Sequence, residues 1–321
     1  VTVAALVLVA SLAPSLAPSL APALSERKAP RAELRSEQQL SPIYGQGIAR
    51  GPDGWILSGT NVLSRLGDDL SVQQTLLPAI PPEWAAKGYN HVGDIDVVGP
   101  YVYAPFEQHP FTIGRQATAR YDVATLRFID AVELPQHENS FVTVDPATMV
   151  AYTMDNFDGH ALLRYDVRAG WKPLPPLGMS RLVKRVQGGS VGEGAVWLST
   201  DDDGNGLYRV DMRTGHVDAL GSMGHLSAGA GQAKGEGEGI DAHRVGDAFL
   251  HTLTVDPKII PVWLGHFAVT GVAPPGPSVT KGAKTDSSWP PVLVAVVGAL
   301  ALAAVIGGVV LYRRARAAVR S

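Results

Sequence analysis

The run Asp201-Asp202-Asp203-Gly204-Asn205-Gly206 has the residue types and spacing that point most directly to chemistry. Asp201, Asp203, Asn205 and Gly206 fill positions 1, 3, 5 and 6 of a D-x-[DN]-x-[DN]-G loop. In such a loop alternate residues offer oxygen ligands to Ca2+ and the glycine allows the tight turn. Position 12 is Met212, where an EF-hand supplies a bidentate glutamate. The same composition also makes a hairpin turn between the flanking runs AVWLST and GLYRVD. A Ca2+ site on Asp201, Asp203 and Asn205 is one expectation, and a plain turn the other. The second candidate is GEGEG at 235–239. Glu236 and Glu238 are two apart, so on an extended chain they share a face and could hold a cation or share a proton. The intervening glycines suit close approach to a ligand, or simply a solvated loop.

Other chemistries lack their residues. The chain of 321 residues has no cysteine, which excludes disulfides, zinc–thiolate sites and cysteine nucleophiles. Its 9 histidines include no HExxH pair, and no G-x-S-x-G elbow, Walker A loop or G-x-G-x-x-G is present. A net charge of −3 provides no basic field for nucleic acid.

Any site here must be positioned by strands. Between about Ile43 and Val272 the runs WILSG, YVYAPF, FVTV, MVAYTM, AVWLST and AFLHTL are β-branched and aromatic, bounded by turns such as PDG, DPAT and VGD. One cassette recurs as ARYDVATLRF, LRYDVRAGWKP and LYRVDMRTGHV. Its aspartates, Asp122, Asp166 and Asp211, are 44 and 45 residues apart, with a looser copy around Asp69. A period near 45 with about four strands per unit predicts an all-β propeller of five four-stranded blades, six being the alternative count. The recurrent aspartate has a ready structural role, bonding the amides of the turn that follows it.

The segment YGQGIARGPDGWILSGT, Tyr44 to Thr60, resembles the opening of plant-type glutamine cyclotransferases, where Phe-Thr-Gln-Gly-Leu precedes Asp-Gly and a strand ending Ser-Thr-Gly. GEGEGI at 235–240 is similar to that family's Glu-Gly turns. More broadly the body resembles extracytoplasmic propellers of the YncE-like and SMP-30/gluconolactonase groups. The SMP-30 opening Glu-Gly-Pro is absent, Gln46-Gly47 standing in its place. The match covers about one blade and implies the fold.

Blades beginning near Gln46, His91, Asn139, Lys184 and Glu236 would bring separated residues to one mouth of a central channel. The expected ligand-binding set is His91, Asp94, Asn139, Glu236 and Glu238, with Gln46, Glu138, Lys184 and Arg185 beside them. Two functions fit: a binding module for an envelope ligand or protein, and a small-molecule enzyme of cyclotransferase or lactonase type using the mouth carboxylates.

The chain ends predict where the body sits. VLVAVVGALALAAVIGGVVL, from Val292 to Leu311, is 20 residues without a charge, about 30 Å as a helix and long enough to span a bilayer. Arg313, Arg314, Arg316 and Arg320 follow it, placing the C-terminus in the cytoplasm. VTVAALVLVASLA with Ala21-Pro22-Ala23 reads as a cleaved signal. The expected organisation is a signal peptide over 1–23, a tether over 24–42, the propeller over 43–272, a stalk over 273–290, a transmembrane helix over 291–312 and a basic tail over 313–321. The expected location is a cell membrane, single-pass, with the body extracytoplasmic and no nucleic-acid partner.

Overall fold

In a computed structural model the structure describes residues 30–108, 110, 115–155, 159–202, 204–223, 235–255 and 261–271. The aromatic and β-branched runs pair with their sequence neighbours, as short strands joined by tight turns must. Blade 1 comprises β2 (Gly47–Gly51), β3 (Gly54–Gly59), β4 (Val62–Leu66) and β5 (Val72–Leu76). Blade 2 has a divided inner strand, β6 (His91–Val92) and β7 (Asp96–Val98), then β8 (Tyr101–Glu107), β9 (Gln116–Asp122) and β10 (Phe128–Leu134). Blade 3 holds β11 (Thr143–Asp145), β12 (Val150–Thr153), β13 (Ala161–Asp166) and β14 (Lys172–Gly178). Blade 4 holds β15 (Val186–Gly192), β16 (Ala195–Thr200), β17 (Gly206–Asp211) and β18 (Val217–Ser222). Blade 5 is built from β19 (Glu236–Val245), β20 (Ala248–Val255) and β21 (Val262–Thr270), with β1 (Arg31–Leu40) as its outer strand. The protein is therefore an all-β propeller of five four-stranded blades.

The recurrent aspartates serve their turns. Asp122 accepts from the Thr125 amide and hydroxyl, Asp211 from those of Thr214, and Asp69 from those of Ser71. The Thr125 hydroxyl first, and then the turn amides, hold the Asp122 pKa below the usual carboxylate range. The tyrosine of the cassette reaches back to the connection leading into its own blade: Tyr121 donates to the Ala79 carbonyl and Tyr165 to Gln136.

Segment 31–40, expected within the tether, is instead strand β1, antiparallel to β21 from Arg31↔Thr270 to Leu40↔Val262. Its outer side chains are solvated, and only Ala32, Leu34 and Leu40 reach apolar clusters. Apolar side chains fill the spaces between neighbouring sheets, Trp197 and Phe249 for example meeting edge to face at the seam of blades 4 and 5. Among the described residues no helix is long and apolar enough to cross a membrane. The signal, stalk, span and tail expected at 1–23, 273–290, 291–312 and 313–321 lie outside the described residues.

Candidate functional site at the propeller axis

The inner strands converge on one carboxylate. Asp94 sits where the inner strand of blade 2 breaks between β6 and β7, and is 1% exposed. Its Oδ1 accepts from the Ile48 amide of blade 1 at 3.0 Å and from Ile95 at 3.1 Å. Its Oδ2 accepts from Gly189 of blade 4 at 3.0 Å and Ile240 of blade 5 at 3.1 Å. The Asp94 backbone completes the circle through blade 3, donating to the Ser140 carbonyl and accepting from the Val142 amide. One residue thus ties all five blades. Burial pushes its pKa well above the carboxylate range, with the Ile240, Ile48 and Gly189 amides pulling against that shift.

Three glycines make room for it. A Cβ on Gly188 or Gly239 would lie 2.6 Å from an Asp94 carboxylate oxygen, and one on Gly47 would lie 2.6 Å from the Asp94 Cα. At this level, among the described residues, backbone and one carboxylate fill the axis. The mouth, where the inner strands begin, has a floor.

Below the floor a second set of bonds runs from blade to blade. The Arg50 amide (blade 1) donates to Asp241 (blade 5), and the Ala242 amide (blade 5) to Ser190 Oγ (blade 4). The Val191 amide (blade 4) donates to Thr143 Oγ1 (blade 3), and Thr143 Oγ1 with the Val144 amide to Asp96 (blade 2). Asp241 also meets His243 Nδ1 at 3.1 Å. Burial is the largest influence on Asp241 and raises its pKa, but the His243 charge and hydrogen bond, with His251 and the Arg50 amide, together hold the carboxylate below its usual value. In return Asp241 lifts His243 to about 9.

Above the floor lies a chain of buried polar groups. His91 Nδ1 is 2.8 Å from Glu107 Oε2, with the residues 3% and 2% exposed. Glu107 Oε1 accepts from the Asn139 amide at 3.1 Å. The Asn139 side chain accepts from Thr153 and donates to the Ala117 carbonyl. Two expected site residues, His91 and Asn139, therefore share one network through Glu107. Glu238 is buried beside the floor, where its carbonyl accepts from Ser199 Oγ. Glu236, two residues earlier, is only half-buried. A register shift between Gly237 and Ile240 interrupts strand alternation there, so the two glutamates occupy different environments. Lys184 is exposed, and Arg185 Nε contacts Asp201 Oδ1 at 2.6 Å.

That ion pair changes the reading of the acidic loop. The Asp201 carboxylate is already engaged by a guanidinium, and the Asn205 side chain donates its Nδ2 to the Gly235 carbonyl. The turn amides of Gly204 and Gly206 are taken by Asp202, at position 2 of the motif. Asp203 lies outside the described residues. Among the described residues no group of three or more histidine, aspartate or glutamate side chains could hold a metal ion.

Glu107, Asp96 and Asp241 were not singled out from sequence, nor was Gln187. Gln187 stands before Gly188 as Gln46 stands before Gly47, Asn139 before Ser140 and Glu238 before Gly239. A polar residue followed by a small one, in four of the five blades, was the available signal. It places Gln187, rather than Lys184, in the blade-4 position. Gln187 is 5% exposed, and its Nε2 has no hydrogen-bond partner among the described residues.

No protein-family model and no curated protein matches the chain by sequence. Solved structures do match in shape. The Myxococcus xanthus glutaminyl cyclase superposes with a TM-score of 0.57 at 14% identity, covering 75% of this chain and 97% of that one. A luciferin-regenerating enzyme gives 0.46 at 9% identity, over 68% of this chain and 74% of that one. The Neurospora crassa Pan2 WD40 domain gives 0.36 at 10%, over 68% and 62%. The fold-level resemblance read from Tyr44–Thr60 is present in three dimensions, and the likeness is one of fold.

Proposed function

We propose that this chain is an extracytoplasmic propeller, held to a membrane by the segment 291–312, that binds a small polar ligand at its mouth. The observation that carries the reading is the Gln187 amide, buried at the mouth end of β15 with an unpaired Nε2. A buried donor without an acceptor costs about 1–3 kcal/mol, which a ligand carbonyl, hydroxyl or carboxylate would recover. Gln46, Asn139 and Glu238 hold the equivalent positions of three other blades, so the ligand would meet amide and carboxylate groups around it. The closed floor supports a seated ligand over one that passes through.

The test is a thermal-shift panel on the full chain in detergent, using free amino acids, glutaminyl and pyroglutamyl dipeptides, and monosaccharides. One chemical class should raise Tm in the wild type and lose that effect in Gln187→Leu and Glu238→Gln. No shift from any class, or equal shifts in the variants, would remove the mouth as the binding site.

A second reading, an enzyme on small substrates, is supported by the buried His91–Glu107 pair together with the likeness to a glutaminyl cyclase. It expects a glutaminyl dipeptide to be converted to its pyroglutamyl form, the α-amine attacking the side-chain carbonyl and the amide nitrogen leaving as ammonia, with His91→Phe abolishing turnover. Binding of that dipeptide without conversion would leave the binding reading alone.

A further inference from the structure

The four strands of the closing blade contribute to one hydrogen-bonded line. His251 Nε2 on β20 lies 2.9 Å from the His243 carbonyl on β19, so that nitrogen carries a proton. The other nitrogen of a neutral His251 must then accept. His266 Nδ1 on β21, 2.6 Å from His251 Nδ1, is therefore the donor. This leaves His266 Nε2 as an acceptor, and it faces Gln38 Nε2 on β1 at 3.4 Å. One backbone carbonyl thereby sets both tautomers. Trp55 of blade 1 covers the line, with ring centroids 4.8 Å from His251 and 6.3 Å from His266.

We infer that this line is an acid-sensitive clasp: it holds the N-terminal strand in the ring while both imidazoles are neutral, and releases it when they take up protons. A proton added to His251 can go only to Nδ1, where it meets the His266 Nδ1 proton. A proton added to His266 goes to Nε2, opposite the Gln38 amide.

The surrounding charges pull both ways on a second positive ring. On β19, Asp241 draws a proton toward His251, its Oδ1 being bonded to His243 and the Arg50 amide and its Oδ2 having no hydrogen-bond partner among the described residues, while the His243 cation repels one. From blade 1, Arg50 lies over Trp55 and is paired with Asp68. On β1, Glu37 stands opposite Gly265, next to His266, while Arg35 contacts Glu33 and Asp247. Burial is the largest influence on both rings: it lowers the pKa of His266 and takes His251 down to about 4.

The direction follows from linkage. A histidine whose folded pKa lies below its free value of 6.5 binds protons better once opened. The clasp is whole above pH 6.5 and weakens as pH falls toward 4. If opening restores the free value to His251, the opening constant rises about 20-fold between pH 7 and pH 5. The apolar anchors of β1 are few, so the strand can open locally without the other blades.

Hydrogen exchange on the full chain in detergent tests this, with protection at pH 7 and pH 5 corrected for intrinsic rates. Amides of β1 should lose about 20-fold in protection while those of β16 hold theirs. The double variant His251→Phe/His266→Phe should show no such loss on β1. If it does not fold, His251→Gln/His266→Gln serves the same purpose. Equal pH dependence in β1 and β16, or an unchanged dependence in the folded double variant, would overturn the inference.

Discussion

Removing the Asp94 carboxylate is the sharpest challenge to this account of the ring. In Asp94→Ala the amides of Ile48, Ile95, Gly189 and Ile240 each lose a buried acceptor. At about 1–3 kcal/mol per orphaned N–H the gross loss is about 4–12 kcal/mol. Part of that is offset, because the wild type carries the cost of burying a charge, visible in its raised pKa. A net loss of about 3–6 kcal/mol is expected, a large share of a domain's usual 5–15 kcal/mol. Asp94→Asn keeps one acceptor oxygen and buries no charge, so it should lose less, about 1–3 kcal/mol. Urea unfolding of the full chain in detergent, followed by tryptophan fluorescence, measures both. The pH dependence provides a second check. Because the folded pKa exceeds 3.8, the native state binds the Asp94 proton more tightly than the unfolded chain, and this group's contribution falls as pH rises above 3.8. The stability gap between wild type and Asp94→Asn should narrow from pH 4 to pH 7. A gap that widens, or an alanine variant within 0.5 kcal/mol of wild type, would refute the hub.

Gly239→Ala should destabilise by about 1–3 kcal/mol in the same assay, because its Cβ would sit 2.7 Å from the Gly47 Cα and 2.6 Å from Asp94 Oδ1. Thr143→Val keeps shape but removes the hydroxyl that accepts from Val191 and donates to Asp96, so a loss of about 1–3 kcal/mol is expected. Neither millimolar Ca2+ nor EDTA should move Tm, since Asp201 is engaged by Arg185 and Asn205 presents a donor to the Gly235 carbonyl. A calcium-dependent rise in Tm would restore the cation reading of the acidic loop.

The repeat was legible because its marker is a turn requirement. Asp122 and Asp211 recur where a tight turn needs an acceptor for its amides, and that need returns once per blade. That a strand from near Ile43 could complete the last blade was open to sequence reasoning, but its place at 31–40 was not legible: an edge strand buries one narrow stripe, and Ala32, Leu34 and Leu40 among charged neighbours look like a solvated linker. The blade-4 mouth position was displaced from Gln187 to Lys184 because period arithmetic cannot see bulges, and β15 carries one between Val186 and Gly188. The paired-carboxylate reading of Glu236 and Glu238 met the same obstacle in β19. Glu107 could not be found by period at all, since it reaches the mouth from the second strand of its blade.

The separation of floor from rim decides where recognition can occur. Each Asp94 oxygen already accepts two amides, and the acceptor sites of a carboxylate number about four, so a ligand resting on it finds no vacant one. Its recurrence in the expected site set reflects its place in the repeat, and its chemistry is spent on closure. On the proposed reading, contact comes from the positions just above it, where four blades present Gln46, Asn139, Gln187 and Glu238. Of these, Asn139 is committed to Thr153 and Ala117, whereas Gln187 retains a donor. On the proposed reading, selectivity then rests on blades 4, 5 and 1, apart from the His91–Glu107 network of blade 2.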